Sequence, residues 1–555
     1  MNKFSSLAIA ALISSSAFAQ KSKSLDAPKD WHQQDPATSG YNGISLNKAY
    51  DLIKKNKLKS NRVVVAVIDS GIDTLHEDLK PVLWTNPKEI PGNGIDDDKN
   101  GYVDDVHGWN FLGGKDGRNV KEDSFEAARV YYKLKDKWEG KTAADAITKE
   151  DKIAFADYER AKEKTAGGVN PEAAKELSLM VEKLSEGNEI IKKELGKEDY
   201  NVTDLEKYEP KDTAAMLTKL IMTNYSKAYN SSDVKMSQLL EELNGEITKM
   251  SASSKPPTEY RKDIVGDDES NVNDRNYGNN DIMANTPFHG THCSGIIAAA
   301  RNNGKGVNGI ADNVRIMMLR AVPDGDEHDK DIANAIRYAV DNGAKIISMS
   351  FGKDFSPEKK WVDDAYKYAA SKNVLLVHAA GNDSKNVDTT FNYPSSFYLD
   401  GKTRPNNLIT VGAAGDKKNG GLTASFSNYG KRDVDVFAPG VNINSTVPGG
   451  TTYGDASGTS MACPVVAGIA ALLLEYYPNL TAVQLKEVIE KSSIKKNELV
   501  NNPETKKKVK MSTLSKTGGF VNAFEAVKYA STMNATAAPK PLVIPPTKIK
   551  KTSKG

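Results

Sequence analysis

The sequence predicts an α/β fold: a doubly wound, mostly parallel sheet with helices on both faces, carrying an inserted α-helical subdomain. Three observations predict it. The run Val63-Val64-Val65-Ala66-Val67-Ile68 is apolar at every position rather than alternating, as in a strand covered on both faces. Further apolar runs at Val314–Leu319, Lys345–Met349, Val374–Ala379, Leu408–Val411 and Val434–Phe437 are separated in several places by helical stretches such as Asp331–Asp341 and Glu358–Ala370. Strands alternating with helices build parallel sheets. Between these two regions, residues 112–262 turn rich in Lys, Glu and Ala and poor in β-branched runs.

The chain has 555 residues, 39% hydrophobic and 27% charged, a globular profile rather than a disordered one. Its 75 Lys+Arg against 73 Asp+Glu leave +2. So even a balance argues against binding nucleic acid or an anionic membrane through bulk charge.

Taken in order, residues 1–19 read as a signal peptide: Lys3, a short apolar core from Leu7 to Ile13, and Ala17-Phe18-Ala19 before the cut. The expectation is an exported protein, periplasmic or secreted. No run reaches the ~20 apolar residues of a membrane span; Val465 to Leu474 is the longest. Only Cys293 and Cys463 are present, so disulfides are not the framework. Residues 20–111 form the first part of the main domain, with a helical stretch near Ile44 to Ile53, and 263–531 its remainder. In the 112–262 insertion, Leu177, Val181, Leu184, Asn188, Ile191 and Leu195 step by 4, 3, 4, 3, 4, which predicts a helical seam with one polar position, packed as an internal pair. A long helix is expected from Thr459. The tail 532–555 is rich in Pro and Lys and reads as disordered.

Three segments carry chemistry. Asp69 ends the buried Val63–Ile68 strand, where open α/β sheets place their ligand crevice; taken alone, Asp69-Ser70-Gly71 is usually just a turn. His289 opens His289-Gly290-Thr291-His292-Cys293-Ser294-Gly295, ahead of an apolar helix. His289 and His292 lack the spacing and the Glu of a zinc-protease helix. Ser460 lies in Ser457-Gly458-Thr459-Ser460-Met461-Ala462, where a helix start would aim free N–H groups at an oxyanion, although a Ser/Thr cap has the same look. The order Asp, His, Ser excludes the α/β-hydrolase, whose His follows its Ser; the last His here is His378.

These segments resemble the Asp, His and Ser signatures of the subtilisin-like serine protease family, over about 44–111 and 263–531. The resemblance implies a serine endopeptidase acting on protein or peptide substrates, with Asp69, His289 and Ser460 as the triad and Asn382, after Leu375–Gly381, as oxyanion donor. It implies that Ser350, Phe351 and Gly352 pair with an extended substrate and, with Ala379, Ala380 and Gly381, wall a specificity pocket. No organic cofactor is implied. Thiol-bearing relatives suggest mercurial inhibition through Cys293, and a Cys293–Cys463 disulfide stays open. Trp31 and Gly43–Leu46 resemble the mature enzyme's leading segment, which leaves no room for an inhibitory prodomain within 20–62. The role and partner of the insertion stay open.

One further loop stands out. Asp96, Asp98 and Asn100 occupy positions 1, 3 and 5 of a calcium loop; Gly101 falls at its turn, Tyr102 offers a carbonyl and Asp104 stands at position 9. Position 12 is His107, so a structural calcium loop is expected, not an EF-hand. The Asp267–Asp281 stretch and the acids Asp324, Asp326, Glu327 and Asp329 read as solvated loops, with a second ion or attraction of basic substrates as the alternatives.

Overall fold

The computed structural model describes residues 27–533, apart from 166–170, 198, 230–235, several short stretches between 238 and 259, 285–286 and 418–419. The expected signal peptide and nearly all of the expected tail lie outside the described residues.

Nine strands form one sheet. In chain order β1 is Val63–Asp69, β2 Gly108–Asn110, β3 Val314–Arg320, β4 Ile346–Met349, β5 Leu375–Ala379, β6 Leu408–Ala414 and β7 Val436–Pro439. A hairpin outside the sheet supplies β8 (Ile443–Val447) and β9 (Thr452–Ala456), and β10 (Ile494–Lys495) and β11 (Gly519–Phe520) close one edge. The sheet order is β10-β11-β7-β6-β5-β4-β1-β3-β2. Every pairing is parallel except β10 with β11. The strand order reverses at β1, which pairs with β3 on one side and β4 on the other.

The unbroken apolar runs follow from burial on both faces. Val63, Val65 and Val67 pack into one core while Ala66 and Ile68 pack into the other. In β3, Val314, Ile316 and Met318 face the first core and Met317 and Leu319 the second. The period of two survives in direction, not in polarity. Fully burying each such side chain contributes about 1.5–3 kcal/mol.

Helices of eight residues or more are numbered α1 (Leu46–Lys55), α2 (Glu126–Trp138), α3 (Lys149–Thr165), α4 (Pro171–Leu195), α5 (Thr213–Tyr229), α6 (Phe288–Ala298), α7 (Asp329–Asp341), α8 (Lys359–Ser371), α9 (Thr459–Tyr476), α10 (Ala482–Lys491) and α11 (Ala523–Thr532). Helices α1, α6, α9, α10 and α11 cover the first face, and α7 and α8 the second. Helix α9 is long and apolar enough to cross a membrane, yet 89% of its span is buried inside the body. It is a core helix.

The insertion is helical and has two parts. Helices α2 and α3 form a hairpin around Trp138 and Tyr158 whose small core also takes in Phe355 of the main body. Helices α4 and α5 pack against each other around Leu184, Ile191 and Met222. In the α4 seam Leu177, Val181, Leu184, Asn188 and Ile191 are buried and Leu195 partly so, so the seam is an intramolecular one. Leu184→Ala removes a fully buried side chain from this cluster. It is expected to cost about 2–5 kcal/mol, read as a lower urea midpoint for the insertion.

Candidate active site

Three segments leave the sheet at its carboxyl edge and two helices join them to supply the site. Asp69 is the last residue of β1, Ser350 follows β4 directly, and Asn382 lies three residues beyond β5. The two helices beneath the crevice, α6 and α9, bring His289 and Ser460 in their first turns. This is the crevice expected where the strand order reverses.

Asp69 is buried, and its Oδ1 accepts from His289 Nδ1 at 2.8 Å and from the Ser70 amide at 2.7 Å. His289 reaches it because Gly290 lets α6 come in tightly: a Cβ there would stand 2.2 Å from Gly71 O. Burial disfavours a charged His289, but the Asp69 carboxylate outweighs that, with a smaller push from Cys293, and the imidazole is held well above its ordinary pKa.

Ser460 is the second residue of α9, and its hydroxyl donates to Ser350 O at 3.2 Å rather than to His289. Its own carbonyl is free of the helix ladder, because Pro464 has no N–H to donate to it four residues on. That carbonyl accepts from Ser350 Oγ at 3.0 Å and from Cys293 Sγ at 3.4 Å. Cys293 Sγ lies 3.9 Å from His289 Nδ1. The serine, thiol and imidazole thus form one contiguous group.

Asn382 Oδ1 accepts from the Thr459 amide and hydroxyl, both at 2.9 Å, which turns its amide nitrogen outward. A Cβ on Gly458 would sit 3.5 Å from Asn382 Nδ2 and 3.5 Å from Ser460 N. Two N–H donors therefore flank a space that the missing side chain leaves open.

The two segments expected to wall a specificity pocket follow the neighbouring strands β4 and β5. Phe351 O accepts from His378 Nε2 at 2.9 Å; burial holds that imidazole neutral, with its pKa lowered to about 4. Ala379 and Ala380 are buried, and the Asn428 amide ties their strand by donating to Ala380 O and accepting from Asp383 N and Lys385 N. Asn392 Oδ1 would lie 3.4 Å from a Cβ on Gly381 and 3.9 Å from one on Gly352, so it stands between the two walls. Cys293 and Cys463 are both buried and not bonded to each other. Burial raises both thiols, Cys463 to about 12.

The Asp-rich loop brings two of the expected residues, Asp96 and Asp98, together with Glu89, which was not among them. Glu89, Asp96 and Asp98 each offer a carboxylate oxygen within 4.8 Å of the others. Glu89 is 7% exposed, and its Oε2 has no hydrogen-bond partner. Asn100 lies at the cluster, its amide N–H donating to Asp96 and Asp98. Asp104 does not join: its two oxygens cap the Gly92 and Gly94 amides at 2.8 Å. The Tyr102 ring is packed against Trp109 and Tyr338. Spacing rules do not reach Glu89, which lies seven residues ahead of the motif. The other acidic stretches divide: Asp268, Glu269, Asp281 and Asp324 are exposed, as expected of solvated loops, and others are not. Asp267 is paired with Lys330 and Arg261, and Glu327 and Asp329 are buried.

Comparison with known proteins places the chain in a family. The family model described as "Subtilase family" matches residues 60–520. The chain is 43% identical over 208 residues to the thermophilic serine proteinase of Bacillus sp. (strain AK1), covering 37% of this chain and 47% of that protein. It is 36% identical over 257 residues to thermitase of Thermoactinomyces vulgaris, covering 45% and 78%. It is 38% identical over 208 residues to subtilisin E of Bacillus subtilis (strain 168), covering 37% and 50%. The match thus spans about half the length of the first and last of these relatives. With its family model running from before β1 to β11, this chain belongs to the subtilase family.

Proposed function

We propose that the protein is an exported serine endopeptidase that hydrolyses peptide bonds through Asp69, His289 and Ser460. The observation that carries the reading is the buried Asp69 carboxylate bonded to His289 Nδ1 beside the first turn of α9. That bond fixes the tautomer whose Nε2 is free to accept a proton. For attack, the Ser460 hydroxyl swings from Ser350 O to His289 Nε2 and adds to the scissile carbonyl. Asp69 stabilises the imidazolium that forms. The Ser460 amide and Asn382 Nδ2 receive the oxyanion. His289 then protonates the leaving amine, and water repeats the cycle on the acyl-enzyme. Ser350 and Gly352 pair with the substrate backbone, while Phe351 is turned away to His378. No step calls for an organic cofactor or a nucleic acid. Export rests on the reading of residues 1–19.

Calcium is the second part of the proposal. Glu89, Asp96 and Asp98 hold it, with Asn100 beside them. A buried carboxylate oxygen without a donor, close to two further carboxylates, is a poor arrangement without a cation and a suitable one with a hard cation. The ion would fasten the 86–105 loop and takes no part in the chemistry.

Three outcomes are expected. Ser460→Ala or His289→Ala lowers kcat by about 10⁶, the size known for subtilisin itself, and Asn382→Ala costs roughly 10²–10³; substantial casein hydrolysis by Ser460→Ala would overturn the assignment. Because His289 serves as base only when neutral and its pKa is raised above 6.5, kcat/KM on a fluorogenic peptide should climb with pH and reach half-maximum above pH 6.5. Calorimetry should detect calcium binding to chelator-treated protein that Glu89→Gln weakens; no heat above background would remove the calcium claim.

A further inference from the structure

The crevice has two walls, and the insertion ties them together. One wall is the 350–352 segment. With Phe351 O committed to His378, strand alternation leaves the backbone of Ser350 and Gly352 on the opposite edge, where Ser460 Oγ meets Ser350 O. The other wall is the loop after β3. There Asp324 N donates to Lys121 O at 2.8 Å, and Asp324 O accepts from Asp123 N at 3.0 Å. The lead segment of the insertion is thus laid along the outer edge of that loop.

Immediately past Gly352, the Lys353 side chain spans from one wall to the other. Its Nζ donates to Glu327 O at 2.7 Å and pairs with Asp329 Oδ1 at 2.9 Å. It also pairs with Glu126 Oε2 at 2.7 Å, at the start of α2. The Lys353 side chain is only 2% exposed. Arg129, one turn further along α2, donates to Asp326 O and Glu327 O. The Lys353 backbone is fixed as well, exchanging two hydrogen bonds of 2.9 Å with Tyr393.

We propose that this cross-tie is the closed end of the substrate cleft, and that Lys353 and Glu126 are specificity-determining residues that limit the enzyme to short reach on the amino side of the scissile bond. The proposal rests on the peptidase reading and sharpens it. A peptide extended along 350–352 sets its first residue beside Ser350 and its third beside Gly352, one residue per ~3.3 Å. A fourth residue meets the ion cluster. Displacing Lys353 would leave Asp329 buried without its cation and Glu126 with Arg129 alone, which is unfavourable, so the barrier does not yield to an ordinary peptide. A buried ion cluster is itself weak evidence for stability; an occluding role accounts for its position.

The test is a series of acetyl-peptide p-nitroanilides with one to five residues before the anilide and the same residue at the cut. For the wild-type protein, kcat/KM is expected to rise more than tenfold from one to three residues and to change less than twofold on adding a fourth and fifth. A further rise of tenfold or more at four or five residues overturns the closed end while leaving the peptidase reading intact. Hydrolysis of no member, with no labelling of Ser460 by a fluorophosphonate, overturns the peptidase reading and the closed end together. In the double variant Glu126→Ala, Lys353→Ala, a fourth residue should raise kcat/KM at least fivefold through KM; a folded variant without that gain counts against the proposal. If the variant does not fold, the wild-type series decides alone.

Discussion

A carboxylate sealed from water and bonded to an imidazole is what the rest of the molecule is arranged to hold. Among the described residues, Asp69 has no cation beside it other than the one His289 can become. Such a group is costly to bury unless its partner is fixed, and the fold fixes it from several directions. Parallel strand β1 ends at Asp69, α6 presses Gly290 against Gly71 O, and the β8–β9 hairpin anchors α6 through Ser445 Oγ to His292 O and Thr446 Oγ1 to Thr291 O. Every chemical group of the site emerges from a strand's carboxyl end or a helix's first turn, so the arrangement inherits the rigidity of the sheet.

Much of this was legible in the sequence, and the part that was not has a common physical cause. The β1 run announced burial on both faces, and its neighbours Val65 and Ala66 do enter opposite cores. The seam of α4 announced an internal pair, and Leu184 and Ile191 are buried in one. Asp69, His289 and Ser460 were visible because each sits in a local motif. Glu89, Lys353 and Asn428 were not, because their importance comes from partners far along the chain or from an unmet hydrogen bond. Asp104 fitted a spacing rule, yet its oxygens are spent on the Gly92 and Gly94 amides. The β8–β9 hairpin escaped notice because Asn444, Ser445 and Thr446 look like loop residues; their side chains are buried and hydrogen-bonded.

The insertion divides by its relation to the main body. Helices α4 and α5 keep a core of their own. Helices α2 and α3 do not: Phe355 belongs to their cluster, Arg160 stacks on the rings of Phe355 and Phe391, and Lys164 pairs with Asp354. Two of the acids after β3 that looked like a solvated rim, Asp326 and Asp329, are spent on this junction, while Asp324 stays exposed. Glu126 N donates to Asp326, and Asp329 holds Lys353. The hairpin is therefore an integral wall of the molecule.

Pro464 has an effect beyond the bond it omits. A helix normally locks its opening residues through its own ladder, so that turning one of them frays the end. Here the carbonyl of residue 460 is gripped from outside, by Ser350 and Cys293. The mount of Ser460 is therefore bolted to its neighbours rather than to its own spiral, and the side chain can re-aim while the cylinder behind it stays still.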